Sequence, residues 1–543
     1  MMAHVLIDEL VQEAAAQQRA LFILVPLLFF SLVLLPLPLL LRSLASSTRT
    51  RSRARRDSDD PLSEFPSPPR RLPVIGHLHL MGALPHISLA ELAFRHGPEV
   101  MLLRLGSVPT VVVSSPRAAE AVLRTHDHIF ASRPRTMVAD IIMYGATDSC
   151  FAPYGDHFRK ARKLVTLHLL SATKVRSQRP ARVEEARLVL GRIREAAAAN
   201  APVDMSEVLH SFVNDLVCRF VSGKFSQEEG RNKLFRELTD INAALLGGFN
   251  AMEYFPILAR LFELFSKVAC AKAKAVRKRW DQLLDKLIDD HATRLMSRDR
   301  KDDAVTTEQG DTDFIDVLLS LQEEYGLTRD HMKAILIDMF EAGTDTSYVT
   351  LEFAMAHLMR EPHLMAKLHD EVRRTVPKGQ EMVTEDDLTN MTYLKSVIKE
   401  TLRLHPPVPL LIPHFSRDAC NIGGYTIPAD TRVIVNARAL GRHQSYWEIP
   451  NEFLPERFMD GGNANNVDFK GRDFHFLPFG SGRRMCPGIH SATVTTEIML
   501  ANLMYHFDWE LPVGLKKEDV DMVEVFGITV QRRQKLVLVP KIA

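Results

Sequence analysis

The apolar residues of this chain fall into sharply different patterns along its length. From Leu21 to Leu41 there is no charged residue. As a helix that stretch is about 32 Å long, enough to cross the hydrocarbon core of a bilayer. Pro26, Pro36 and Pro38 within it are better tolerated in membrane helices than in soluble ones. Arg42, Arg49, Arg51, Arg53, Arg55 and Arg56 follow at once, which marks the cytosolic side. A cleaved signal peptide is shorter and carries its basic cluster before the apolar run, not after it. Pro61, Pro66, Pro68, Pro69 and Pro73 then read as a stiff hinge. The expected organisation is a luminal segment over 1–20, a transmembrane signal anchor over 21–41, a basic and proline-rich hinge over 42–76, and a folded domain over 77–543.

Beyond the hinge the period changes. Met101–Leu105 and Thr110–Val113 are short apolar runs around Gly106 and Pro109, which predicts a hairpin. The stretch from Pro180 to Leu295 has a helical period, interrupted near Leu245-Leu246-Gly247-Gly248-Phe249. Arg298 to Thr312 is polar and reads as a surface loop, and Asp330 to Arg360 as one long helix. Leu410 to His414 is a candidate strand. The fold class is therefore mainly α with smaller β regions.

Composition narrows the function by exclusion. With 68 basic and 67 acidic residues the chain has no global charge to attract nucleic acid, and none is expected as a partner. The five cysteines, Cys150, Cys218, Cys270, Cys420 and Cys486, are odd in number and far apart. They suggest neither a zinc site nor a disulfide framework.

One cysteine stands in a different setting. Phe479-Gly480-Ser481-Gly482-Arg483-Arg484-Met485-Cys486-Pro487-Gly488 is a glycine-rich turn that delivers Cys486 to the start of a helix. Cys486 is expected at the N-cap and Pro487 at the first helical position, where free N–H groups favour a thiolate. Gly488 leaves room for a large planar group, and Arg484 can pair with an acidic substituent of that group. A thiolate, a close-packed plane and a cation together describe an axial ligand to haem iron. A second polar element interrupts the long helix: Ala342-Gly343-Thr344-Asp345-Thr346-Ser347. Alone it is a polar notch at a helix crossing. Beside the Cys486 loop it reads as a groove for dioxygen, opened by a hydroxyl bonding back along the helix, with an acid and an alcohol to carry protons. Glu400 and Arg403 lie one turn apart on a further helix. With Arg457 they can form a buried, charge-compensated triad.

The decapeptide from Phe479 to Gly488 carries the complete pattern F-x-x-G-x-R-x-C-x-G, and it resembles the haem-binding loop of the cytochromes P450. The order and spacing of the other elements match that family from about residue 60 onward. The resemblance implies the cytochrome P450 fold, with haem b between the long oxygen-side helix and the helix of the cysteine loop. It implies Cys486 as axial ligand; Phe479, Gly482, Arg484 and Gly488 as haem contacts; and Asp345 and Thr346 as the proton-delivery pair. Arg162 matches an arginine that holds a haem propionate, while Phe158 stands where the family usually has tryptophan. His414 stands where it often has arginine. Arg159, Lys160 and Lys163 are then expected to face outward and receive an NADPH–cytochrome P450 reductase, so that NADPH acts indirectly. The hinge resembles that of microsomal members, which implies the endoplasmic reticulum membrane, with its lipid, and a cytosolic catalytic domain. A haem-thiolate isomerase or dehydratase can dispense with the acid–alcohol pair, so Asp345-Thr346 argues against that class.

The segments expected to face substrate are apolar: Val408 and Leu411, Phe340 with Ala342 and Gly343, and Phe526 near the C-terminus. An uncharged, lipophilic substrate is expected. The stretches Cys150–Lys160, Phe340–Tyr348 and Cys486–Ala492 resemble the benzoxazinoid-pathway monooxygenases of grasses, which implies a small heterocycle such as indole or its oxidised derivatives.

Overall fold

A computed structural model describes residues 61–223, 231–248, 251–255, 263–299 and 312–543. The chain divides into two compact units, Met1–Ser63 and Glu64–Ala543, and the second carries the helical frame and the sheets. The segments expected as luminal, as signal anchor and as the basic part of the hinge lie outside the described residues. No helix among the described residues is long and apolar enough to cross a membrane.

Ten helices build the frame around the site. They are α1 (Pro85–His96), α2 (Asp156–Leu164), α3 (Arg179–Ala198), α4 (Met205–Ser222), α5 (Arg231–Gly247), α6 (Glu263–Asp299), α7 (Arg329–Arg360), α8 (Pro362–Thr375), α9 (Thr392–Leu404) and α10 (Ile489–His506). The long central helix α7 has clear punctuation. Thr328 caps its N-terminus in a capping box with His331, and the chain leaves it at Glu361, immediately before Pro362. Most of α7 is buried, because α4, α5, α9 and α10 all pack against it. The core runs through these contacts and includes the fully buried Trp280, Phe235, Phe340 and Phe353.

The strands are short and peripheral. β1 (Val100–Leu105) and β2 (Val108–Val113) form the expected hairpin, with Gly106 at φ +62° in its turn. β3 (Val203–Asp204), β4 (His414–Phe415), β5 (Cys420–Ile422), β6 (Tyr425–Ile427), β7 (Arg432–Val435), β8 (Phe507–Glu510), β9 (Glu524–Val525), β10 (Gln531–Arg532) and β11 (Val537–Ile542) complete the set. β7 runs parallel to β2 and antiparallel to β4, which gives a four-stranded sheet in the order β1-β2-β7-β4.

The structure departs from the sequence pattern at three places. The strand from Leu410 shrinks to His414–Phe415, because Leu411 is left-handed (φ +49°) and breaks the extended run. The loop expected from Arg298 begins later, since α6 continues to Asp299; residues 300–311 are not among those described. The interruption near Leu245 is a helix end. α5 stops at Gly247, where a Cβ would meet the Ile528 backbone nitrogen at 2.0 Å. Glycine there lets the C-terminal loop lie directly on the helix.

Candidate active site

The cysteine loop is held by its own backbone. Gly480 and Gly482 take φ of +66° and +70°, and the Cys486 N–H donates to the Phe479 carbonyl at 2.9 Å. Phe479 itself packs edge-on against Phe469. Helix α10 begins at Ile489 with Gly488 as its N-cap, so Cys486 and Pro487 precede the helix and do not open it. The thiol meets the helix end through the Gly488 N–H. Burial pushes its pKa up, offset by the Gly488 N–H and the nearby Arg162 guanidinium. A Cβ at Gly482 would lie 2.1 Å from the Leu123 carbonyl oxygen. The left-handed conformation alone costs an alanine roughly 1–2 kcal/mol. Gly482→Ala is therefore expected to lower the haem-to-protein ratio of purified enzyme sharply, read by absorption. Full haem loading would contradict this.

Opposite the loop, α7 runs unbroken through the polar hexapeptide, so the expected opening of the helix does not occur. The hydroxyl does bond back: Thr346 Oγ1 donates to the Ala342 carbonyl at 2.7 Å. Thr346 and Ala342 share a face. Asp345 points elsewhere: its Oδ2 accepts from Thr529 Oγ1 at 3.3 Å, and its Oδ1 lies 3.8 Å from His210 Nε2. Burial first, and Asp240 next, push its carboxyl up to about 7. Acid and alcohol are neighbours in sequence but belong to different faces of the helix.

Three arginines converge from distant segments. Arg484 Nε donates to the Ala131 carbonyl at 2.6 Å, its other nitrogens reach the Cys150 and Ala152 carbonyls, and its guanidinium lies 3.6 Å from the centre of the Phe158 ring. Arg162, on α2, donates to the Met485 carbonyl. Arg133 donates to the carbonyls of Ile412 at 2.6 Å and Pro413 at 3.1 Å. Among the described residues none of the three forms an ion pair with a carboxylate. Burial, then repulsion from Arg133, lowers Arg484 to about 9, and burial lowers Arg133 to about 10. His414 is buried in the same neighbourhood. Its Nδ1–H donates to the Phe130 carbonyl at 2.8 Å, and burial together with Arg133 and Arg484 keeps the ring neutral.

These features fit a flat ligand with acidic substituents. In the middle of buried α7, Ala342 is exposed and Gly343 and Thr346 are half-buried, and the segment Arg484–Ile489 is only half-buried too. At Gly488 a Cβ would touch nothing within 4 Å except Cys486 Sγ at 3.7 Å. The chain itself does not demand glycine there; a plate lying against it does. With no ion pair of their own, the guanidiniums suit the carboxylates of such a plate.

The triad is formed as expected. Arg403 pairs with both Glu400 oxygens at 2.7 Å, and Arg457 Nε donates to Glu400 Oε1 at 3.0 Å, all three residues being buried. The apolar set divides. Ala342 lies on the Thr346 face. Leu411 stands beside the cysteine loop, its Cδ1 3.9 Å from where a Gly480 Cβ would be, and Val408 is half-buried. Gly343 packs toward Val217 of α4. Phe526 stacks on His86. Phe340 is a correction: it is 1% exposed and stacked on Phe235 at 4.0 Å, in the core and away from any pocket. Arg159, Lys160 and Lys163 on α2 are exposed, as anticipated. Arg133 is a site residue that the sequence pattern does not single out. Its one local signal is a charged residue set between the apolar Phe130-Ala131 and Pro134.

Fold and cysteine loop together define a haem-thiolate protein: the chain belongs to the cytochrome P450 family, whose sequence pattern matches residues 66–538. It is 69% identical over 546 residues to the indole-2-monooxygenase of Zea mays, covering 99% of each chain. It is 53% identical over 482 residues to the 3-hydroxyindolin-2-one monooxygenase of Zea mays, covering 88% of each. A zebra fish cytochrome P450 solved with abiraterone superposes with a TM-score of 0.69 at 23% identity, over 85% of this chain and 100% of that one, a likeness that concerns the fold alone. The protein is a plant haem-thiolate monooxygenase. It uses haem b and dioxygen, and it draws electrons from NADPH through a reductase.

Proposed function

We propose that the enzyme inserts one atom of dioxygen into indole to give indolin-2-one, a step of benzoxazinoid biosynthesis. Indole, dioxygen, NADPH and a proton are consumed; indolin-2-one, water and NADP⁺ are formed. The observation that carries this reading is the 69% identity over the whole chain to the maize indole-2-monooxygenase. Relatives named for indolin-2-one and 3-hydroxyindolin-2-one stand lower, at 52% and 53%.

In this reading the haem, when bound, supplies the redox centre at which dioxygen is activated, and the protein supplies position and protons. Cys486 Sγ would ligate the iron. Arg133, Arg162, Arg484 and His414 would hold the carboxylates of the porphyrin, and Phe479, Gly482 and Gly488 shape the cysteine loop. Thr346 Oγ1, whose own proton is parked on the Ala342 carbonyl, is free to accept a hydrogen bond from water and to orient it. Asp345, poised near neutrality by burial, can hold and release a proton at Oδ1. Thr346→Ala is expected to divert reducing equivalents into hydrogen peroxide at an unchanged indole affinity; fully coupled turnover in that variant would remove Thr346 from proton delivery. Ala342, Val408 and Leu411 border the substrate. Glu400, Arg403 and Arg457 brace the haem side of the core.

The same reading places residues 21–41 in the endoplasmic reticulum membrane and the catalytic domain in the cytosol, supported by the uncharged run and the arginines that follow it. Arg159, Lys160 and Lys163 offer the reductase an exposed basic face. Reversing all three charges is expected to weaken reductase binding steeply at low salt; unchanged affinity would dismiss that face.

The deciding experiment is turnover of indole by the membrane-bound, haem-loaded protein with reductase and NADPH, products read by mass spectrometry. Indolin-2-one is the expected product. A loaded enzyme that ignores indole and oxidises indolin-2-one would move it to a later step of the pathway.

A further inference from the structure

Asp345 belongs to a second cluster that the monooxygenase reaction does not explain. His210 of α4 places Nε2 3.8 Å from Asp345 Oδ1 and 4.0 Å from Asp240 Oδ1 of α5. These atoms all lie within 4.8 Å of one another. That is too far for direct hydrogen bonds. Yet His210 Nε2 and Asp345 Oδ1 are buried and have no partner among the described residues. The residues that carry them are 5% and 2% exposed. Two unpartnered polar atoms aimed at one point call for something small between them.

The surroundings say what it is. Tyr348 stacks on the His210 ring at 4.7 Å and 13°, which fixes its orientation. Thr529 occupies only Oδ2 of Asp345 and leaves Oδ1 facing the gap. The nearby cation, Arg236 of α5, is neutralised by both oxygens of Glu207. Burial, then Arg236, lowers the His210 pKa to about 3, so the ring is neutral and offers a lone pair. Two carboxylates and a neutral imidazole match the charge and the donor preference of zinc. Tetrahedral coordination puts ligand atoms about 3.4 Å apart, so the two His210 distances would close by about half an ångström and the two carboxylates would draw together as well. The Asp240 side chain is half-exposed, which provides an entrance.

Two other groupings of comparable residues lack this character. In the cluster of His291, Asp313 and Asp316, His291 is already bonded at both nitrogens, to the Leu287 carbonyl and to Asp313 Oδ2. In that of Asp148, Cys150 and Asp338, Asp148 Oδ2 and Asp338 Oδ2 each accept two hydrogen bonds from the 149–151 segment, and only Asp148 Oδ1 is left without a partner among the described residues. That cluster also sits among the arginines of the active site.

We propose that His210, Asp240 and Asp345 form a binding site for one zinc ion, entered past Asp240, with solvent as the fourth ligand. The site rests on this geometry and not on the role given to Asp345 in proton transfer. Bound zinc would withhold that carboxyl from the reaction.

The test uses untagged, haem-loaded full-length protein freed of metal with a chelator, titrated with zinc chloride in a calorimeter. One zinc per chain is expected. X-ray absorption at the zinc edge should show nitrogen and oxygen ligands at about 2.0–2.2 Å and no sulfur. His210→Ala and Asp240→Asn should each weaken binding by about tenfold or more, since even outer partners of a metal ligand cost that much. Asp316→Asn, in the closed cluster, should leave binding unchanged. Asp240→Asn opens no cavity, and an intact haem spectrum certifies that each variant is folded. Absence of stoichiometric binding, sulfur ligation, or unchanged affinity in folded His210→Ala would overturn the proposal.

Discussion

Cys486→Ala is expected to abolish both the thiolate-type haem spectrum and all turnover. Alanine offers no lone pair, and the neighbours that remain cannot replace it. Cys486 Sγ is the one atom within 4 Å of a Gly488 Cβ. The next cysteine in sequence, Cys420, is a buried residue of β5. The measurement is the carbon monoxide difference spectrum of the reduced protein. A retained thiolate band would overturn the assignment of Cys486 as axial ligand. Loss of the band with haem still bound would show that the arginines and the packing around the loop hold the cofactor without the iron–sulfur bond.

The second large effect is structural. Glu400→Gln removes the charge that faces two guanidiniums, Arg403 and Arg457, in a region where Glu400 and Arg403 are 0% and 1% exposed. Both arginines keep their carbonyl partners: Gly441, Pro450 and Glu452 for Arg403, and Glu448 and Ile449 for Arg457. Their positive charges lose their counterion. Breaking a buried pair from one side costs about 3–5 kcal/mol. The expected outcome is a large drop in the unfolding midpoint and little haem-loaded protein. Thermal or urea unfolding checks it, and a variant as stable as wild type would show that carbonyls alone compensate the arginines.

What can be read from the sequence is local. The cysteine loop, the E-x-x-R helix and the bounds of α7 each depend on residues within one or two turns. The hairpin at Gly106 is equally local. Helix α10 is capped two residues later than the sequence suggests. Proline after cysteine favours a first helical position, but Pro487 lies in the turn that seats Gly488 at the cap. Phe340 falls outside the pocket for a reason the helix period already contains. At 3.6 residues per turn it stands about 120° from Thr346, whereas Ala342 stands about 40° away. The long-range features are out of reach. Arg133 meets Arg484 across more than three hundred residues of chain, and His210, Asp240 and Asp345 come together only because α4 and α5 both pack on α7. Spacing along the chain carries no trace of either meeting.

The gathering of Arg133, Arg162 and Arg484 has a consequence for how the protein accumulates in a cell. A chain that gathers three like charges, none of them in an ion pair of its own, is penalised until a dianionic guest arrives. Anything that binds the native state alone raises its stability by mass action. The cofactor is then a folding partner as much as a reactive centre. The amount of intact enzyme should follow the supply of porphyrin: tissue starved of it would clear the empty chain, however abundant the message.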